Sequence, residues 1–242
     1  MIFSIKKAFK DSWNMFFSKK IYLPFVFASL VSVAGIYLLL GLGGVAGSFF
    51  LMRGLWWLLI PTAIILIFFL AYFILAGVYL PLDTHMTKKV DFKKVFTSVW
   101  DYRLILKSIG LILVVLGSIV VVGYLLSLLV FKLSPILVPI FIGVLVALVT
   151  VRFAFAMYIL IETRGGVFSS LKKSHTMMKG NGWKFLLFIV SIVLISILVQ
   201  TVTNVLASVS QPLSQIITIA FGVAVAPWFS LVTISPYIQL KK

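Results

Sequence analysis

Residues 55–80 read LWWLLIPTAIILIFFLAYFILAGVYL, twenty-six residues without one charge. A helix needs roughly 20 apolar residues to cross a hydrocarbon layer of about 30 Å, so this run is long enough to span a bilayer. Its apolar residues are continuous and do not alternate, which favours a helix over a barrel strand. Five further runs share the character, at 21–42, 104–131, 134–161, 185–209 and 213–238. The breaks between them are chemical: Gly41-Leu42-Gly43-Gly44 with Arg53, the Lys-rich stretch 83–103, Lys132 with Ser134-Pro135, residues 162–184, and Ser210-Gln211-Pro212. The expected fold is therefore all-α, a polytopic transmembrane bundle of about six spans forming one domain over residues 1–242.

Composition agrees. The 242 residues are 62% hydrophobic and 11% charged, with a mean hydropathy of +1.22, whereas soluble domains are nearer half apolar and a quarter charged. So few charges cannot cover a water-soluble globule of this size. The N-terminus begins with an amphipathic stretch, not a short basic region before a brief apolar run, so it is expected to be retained and not cleaved near Gly44-Val45-Ala46-Gly47.

The formal charge of +16 comes from 21 Lys and Arg against 5 Asp and Glu. These charges are split among separate loops and make no single stripe, which argues against nucleic acid. Eighteen of the basic residues fall before span one, between spans two and three, between spans four and five, or at the C-terminus. Arg53 and Lys132 lie on the other side and Arg152 inside span four. The positive-inside rule then places both termini in the cytoplasm and the protein in the cell membrane.

Each cytoplasmic segment resembles a short amphipathic helix leading into a pair of spans, a possible threefold repeat. The first carries Ile5, Ala8, Phe9, Trp13 and Phe16, with Lys6, Lys7 and Lys10 off that stripe. The second carries Phe92, Val95, Phe96, Val99 and Trp100 beside Lys93 and Lys94. The third, Val167, Leu171 and Met178, is looser, and Trp183 follows. Such helices are expected to bury one face in the headgroup boundary while lysines meet lipid phosphates.

Reactive chemistry is sparse. No Cys is present, and all five acids, Asp11, Asp83, Asp91, Asp101 and Glu162, lie on the cytoplasmic side with His85 and His175. Asp83-Thr84-His85 lacks a third ligand at useful spacing and reads as a solvated loop. No phosphate loop, G-x-S-x-G elbow or H-E-x-x-H motif occurs, so neither an enzyme nor a cofactor is expected. Arg152 needs a reason, since a cation mid-helix costs about 2.5–3.5 kcal/mol on insertion scales; it either binds an anion or snorkels to the interface. Gln200, Asn204 and Gln215, with Thr201, Thr203 and Thr218, form a candidate polar path or bond neighbouring helices. Pro61 and Pro227 are expected to kink their spans.

The run Arg152-Phe153-Ala154-Phe155, Glu162, Ser170-Leu171-Lys172-Lys173-Ser174, Lys179-Gly180-Asn181 and Trp183 resembles the YciC-like six-helix membrane proteins and the membrane domain attached to some glycerophosphodiester phosphodiesterases. Here Ser170 stands for the family's alanine and His175 for a more usual aromatic. The resemblance implies a membrane part that is not itself catalytic. The leading expectation is a non-enzymatic membrane module that holds anionic lipids, or a protein partner, through Arg152, Lys93, Lys94, Lys172 and Lys173. A transporter or channel using Arg152 and the polar residues of spans five and six is the alternative. A lipid-modifying enzyme would need Asp83, His85, Asp101 and Glu162 to converge.

Overall fold

The computed structural model describes residues 3–18, 21–131, 137–209, 211 and 226–241, and every regular element among them is helical. Helix α1 (Ile5–Phe16) precedes the long α2 (Tyr22–Met52). A 3₁₀ turn at Trp56–Leu58 leads into α3 (Leu59–Thr87). The short α4 (Phe92–Ser98) precedes α5 (Tyr102–Phe131), and α6 (Leu137–Phe153) is followed by α7 (Ala156–Thr163), α8 (Val167–Met178), α9 (Gly182–Val209) and α10 (Ala226–Lys241). Among the described residues five stretches are long and apolar enough to cross a membrane: Tyr22–Met52, Trp56–Thr87, Tyr102–Leu125, Ile142–Thr163 and Gly182–Val205. This is the architecture of a multi-pass membrane protein. The first half of the expected sixth span lies outside the described residues.

Three local expectations are corrected. The glycines at 41–44 do not end the first span, because α2 continues to Met52; a helical glycine costs about 1 kcal/mol, less than leaving backbone groups unpaired in hydrocarbon. The chain turns instead at Gly54, whose φ of 68° suits only glycine well. Pro61 lies in the first turn of α3, where no intrahelical N–H bond is lost; the residues before Pro227 lie outside the described ones. Among the described residues Pro81 and Pro236 stand inside helices. Third, Asp83-Thr84-His85 is not a loop: it forms part of the last turns of α3, with Asp83 and Thr84 buried.

Burial is concentrated at one end. In α2 the buried residues are Phe25, Val26, Ala28 and Ser32, near its start; in α3 they begin at Ala71 and run to Thr84. Leu104, Ile105 and Leu111 of α5, Phe185 and Phe188 of α9, and Leu231, Ile234 and Tyr237 of α10 join them, with Val95, Ile159 and Leu171 from the short helices and Phe155 from the break between α6 and α7. Along the remainder of the spans many large apolar side chains are exposed, among them Leu38, Val45, Met52, Ile60, Val120 and Leu198. Only hydrocarbon makes such a surface stable.

Helix α1 lies antiparallel along α10. The Ser4 N–H donates to Gln239 Oε1 at 2.9 Å and the Ser12 hydroxyl to the Leu231 carbonyl at 3.1 Å. Its stripe therefore meets protein: Ala8 and Phe16 are buried, and Ile5 and Phe9 pack on the core. Lys6, Lys7 and Lys10 are exposed on the other face.

The three short helices stand in equivalent places, α4 following α3, α8 following α7, and α1 lying on α10 across the chain ends. Several positions correspond. Phe25, Ile105 and Phe185, spaced by 80, are all buried, as are Ala28, Ser108 and Phe188. On the short helices Ser12, Val95 and Ser174 are buried, each two residues after an exposed lysine: Lys10, Lys93 and Lys172. Helices α3 and α7 also end alike. Thr87 donates to the Asp83 carbonyl and accepts from the Lys89 N–H, while Thr163 donates to the Ile159 carbonyl and accepts from the Gly165 N–H. The residues between, Lys88 and Arg164, take left-handed φ values of 57° and 51°, which close the helices and redirect the chain.

Candidate functional site at the basic end

Three chain positions spaced by 79 residues build the polar centre of the packed end: Tyr79 with Asp83, Tyr158 with Glu162, and Tyr237 with Lys241. Each pair is one helical turn apart, so both side chains share a face. The Tyr237 hydroxyl donates to Glu162 Oε2 at 2.5 Å, and the Lys241 ammonium sits on Glu162 Oε1. The Tyr158 and Tyr237 rings stack with centroids 5.5 Å apart. Tyr79 reaches Asp83 Oδ1 at 3.5 Å, a weak contact, and Lys94 Nζ lies on the same oxygen at 2.6 Å.

Lys94 belongs to α4, whose start is fixed by Asp91: its carboxylate accepts from the Lys94 backbone N–H at 3.0 Å, a side-chain N-cap. The hydrogen bond to Asp83 raises the Lys94 pKa above its ordinary value, because it stabilises the charged form. Arg164 makes a second tie. Its guanidinium reaches Asp101 Oδ2 at 3.3 Å and the Ser98 carbonyl at 3.2 Å, and its own carbonyl accepts from Lys107 Nζ at 2.8 Å. The bend between α7 and α8 is thus fastened to the junction of α4 and α5.

Between these groups is a cavity of about 350 Å3, with Tyr79, Asp83, Lys94, Glu162 and Arg164 on its wall. Arg164 separates it from a cleft of about 210 Å3 lined by Asp101, Arg103 and Lys107. Cations and carboxylates alternate, and each of Asp83, Asp101 and Glu162 is already in an ion pair. Among the described residues no group of three His, Cys or acidic side chains could hold a metal ion.

The expected site residues scatter around this cavity. Lys94 lines it. Lys93, Lys172 and Lys173 are exposed, and no ion pair among the described residues uses them. Arg152 lies in the last turn of α6, exposed, and lines neither cavity. Its position is explained by a break in the fourth span at Ala154 and Phe155. There the buried Ser174 hydroxyl donates to the Arg152 carbonyl at 3.1 Å and accepts from the Phe155 N–H at 3.2 Å. Helix α7 then runs on beside α8 within the packed layer. Gly182, which opens α9, lies beside Val151: an added Cβ would be in ordinary contact with its Cγ1, at 3.5 Å. Arg152 therefore stands beside the start of α9, at the break between α6 and α7. Gln200 and Asn204 are exposed on α9 and bond each other at 3.1 Å; Gln215 lies outside the described residues.

Sequence reasoning overlooked the tyrosines. The pattern Tyr-x-x-x-charged, recurring every 79 residues, was the available signal. Ser12 and Ser174, both fully buried on carbonyls of residues 79 apart, Leu231 and Arg152, were a second.

No protein-family model, no curated protein and no solved structure matches this chain.

Proposed function

We propose that the chain is a non-enzymatic membrane module of the YciC-like kind, seated in the cell membrane with its basic end and both termini in the cytoplasm, where it gathers anionic lipid headgroups. The observation that supports this reading is the exposure of Lys10, Lys93 and Lys172 at equivalent places on three short helices, while Asp83, Asp101 and Glu162 are consumed in ion pairs. A lysine near an anionic surface contributes roughly 1 kcal/mol, so a ring of them selects headgroups by charge. Arg152, exposed beside the start of α9, fits the same role. Gln200 and Asn204 are exposed on α9 and joined by one hydrogen bond, which adds no support for transport.

The test is lipid retention by the purified protein from mixed micelles of phosphatidylglycerol and phosphatidylcholine. Enrichment of phosphatidylglycerol is expected, falling in the Lys10→Ala, Lys93→Ala, Lys172→Ala triple variant and at high salt. Equal retention of both lipids by the unaltered protein rejects the proposal.

A further inference from the structure

The cleft of about 210 Å3 beside Arg164 differs from the larger cavity in its charge. Arg103, Lys107 and Arg164 line it against a single carboxylate, Asp101. Each oxygen of that carboxylate is engaged: Oδ1 accepts from the Arg103 N–H at 2.9 Å, and Oδ2 takes the Arg164 guanidinium at 3.3 Å. Among the described residues neither Arg103 nor Lys107 has a carboxylate within ion-pair reach. Their side chains bond only neutral oxygens, the Tyr102 hydroxyl and the Arg164 carbonyl. A guanidinium has five N–H donors and an ammonium three, so both side chains keep donors for a ligand.

The fold does not call for these cations. Arg103 and Lys107 are four apart in the first two turns of α5, where like charges repel across one turn and the helix N-terminus disfavours positive charge. The repeat supplies a comparison. The spacing of 80 that relates the buried Phe25, Ile105 and Phe185 carries Arg103 to Leu23 and Trp183, and Lys107 to Phe27 and Leu187. All four of those side chains are exposed and apolar, as a surface against lipid requires. At the second of the three equivalent places two cations stand instead, and Arg164 is brought across to them from the end of α7. An anion held among the three cations relieves their repulsion.

We infer that this cleft binds the phosphomonoester headgroup of a lipid. The inference rests on the reading that the basic end gathers anionic headgroups, and it names the headgroup class for one place on that end. Three cations against one carboxylate leave two positive charges over, the complement of a phosphomonoester dianion. A phosphodiester carries only one negative charge. The Arg103 guanidinium matches two phosphate oxygens in its plane, and Lys107 adds a point charge. At about 210 Å3 the cleft is smaller than the sites that enclose larger ligands, and it suits a terminal phosphate better than one extended by glycerol. Depth favours a lipid over a soluble phosphate. Trp100 and Tyr102, exposed aromatic residues of the kind that sit at the membrane interface, flank Asp101 in the chain. Leu106, one turn from Arg103, begins an exposed apolar stripe that Leu113 and Val120 continue along α5, and an acyl chain lies along it.

The experiment uses the full chain in mixed micelles holding equal phosphatidic acid, phosphatidylglycerol and phosphatidylcholine of matched acyl chains. The pH is about 8, where the monoester is dianionic, and bound lipid is read by native mass spectrometry. Phosphatidic acid is expected to be retained about tenfold over phosphatidylglycerol, the size of one further charge-assisted contact. In the Arg103→Gln, Lys107→Gln double variant that preference should fall to near equality, with phosphatidylglycerol still above phosphatidylcholine. Thermal stability reports whether the variant is folded. Should it not be, Arg103→Gln alone decides, because that side chain is exposed and bonds only its neighbour Tyr102. Equal retention of the two anionic lipids, both above phosphatidylcholine, overturns this site and leaves the lysine ring standing, whereas equal retention of all three overturns both. Survival of the preference in the folded variant overturns the cleft as its place. Displacement by equimolar glycerol 3-phosphate overturns the lipid as the occupant. The Lys10→Ala, Lys93→Ala, Lys172→Ala triple variant should hold less of both anionic lipids and keep the preference between them; its loss there would assign the selectivity to the ring and overturn the cleft.

Discussion

Apolar side chains at the two ends of this molecule have opposite exposure. Phe155, Leu160 and Leu231 at the basic end are fully buried, whereas Leu38, Val120 and Leu198 toward the other end stand mostly exposed. At the basic end short helices and the ends of the long ones cover one another, and polar side chains fasten them through Ser12, Ser174, Arg164 and Glu162. Elsewhere the spans rely on lipid. The difference teaches that one sequence property, hydrophobicity, serves two solvents, and that among the described residues the ion pairs and the cavity they line fall at the packed end.

The largest expected effect breaks the comparison directly. Phe155→Ala opens a cavity among Phe185, Tyr237 and the helix break, which typically costs about 3–5 kcal/mol. Leu198→Ala should cost far less, since lipid fills the space. Unfolding of both variants in the same bilayer mimic is the measurement, and equal losses would show that the described packing is not what stabilises the basic end.

Ser174→Ala comes next. It strands the Phe155 N–H as well as the Arg152 carbonyl, and a buried donor without a partner costs about 1–3 kcal/mol. Ser12→Ala removes only a donation to Leu231 and should cost about 1 kcal/mol or less. A reversed order, read from the thermal midpoints, would break the equivalence drawn between α8 and α1.

Much of this was legible in the sequence. The spans, the short helices and their placement came from run length and apolar spacing, because those patterns are imposed locally by helix geometry. The stripe Ile5, Ala8, Phe9 and Phe16 was visible too, but not that it would lie on α10, two hundred residues away in the chain. Arg152 looked anomalous because span four was read as one helix; the break that brings it beside the start of α9 depends on Ser174, a hydroxyl supplied from another helix. The cavity was illegible for the same reason. Asp83, Lys94, Glu162 and Arg164 are brought together by three helices, and no local spacing records that. The 79-residue recurrence of tyrosine did record it, at a period too long for a helix-scale reading.

Glycine substitutions sharpen the comparison within a single pair of spans. At Gly35 an added Cβ would fall 2.4 Å from the Phe73 ring, so Gly35→Ala must push that ring aside, at about 1–3 kcal/mol for overpacking. Gly44, further along α2, has open space around it. Gly44→Ala should be neutral or stabilising by up to about 1 kcal/mol through helix propensity. Opposite signs in a thermal shift assay are the expected result, and a matching loss at both would place the close approach of α2 and α3 wrongly.

The smallest effect concerns the Asp83–Lys94 pair and its pH dependence. Lys94 has a folded-state pKa raised above the ordinary lysine value by its hydrogen bond to Asp83. By linkage its contribution is complete below that ordinary value, near 10.5, and is lost as pH climbs through the higher folded value. With Lys94 45% exposed, solvent screening limits the contribution to less than about 1 kcal/mol. The stability of the unaltered protein should therefore decline slightly more steeply above pH 10 than that of Lys94→Met, whose stability is already lower at neutral pH. Parallel curves for the two proteins across that range would mean that Asp83 does not hold Lys94 in solution, and the wall of the cavity between α3 and α4 would have to be redrawn.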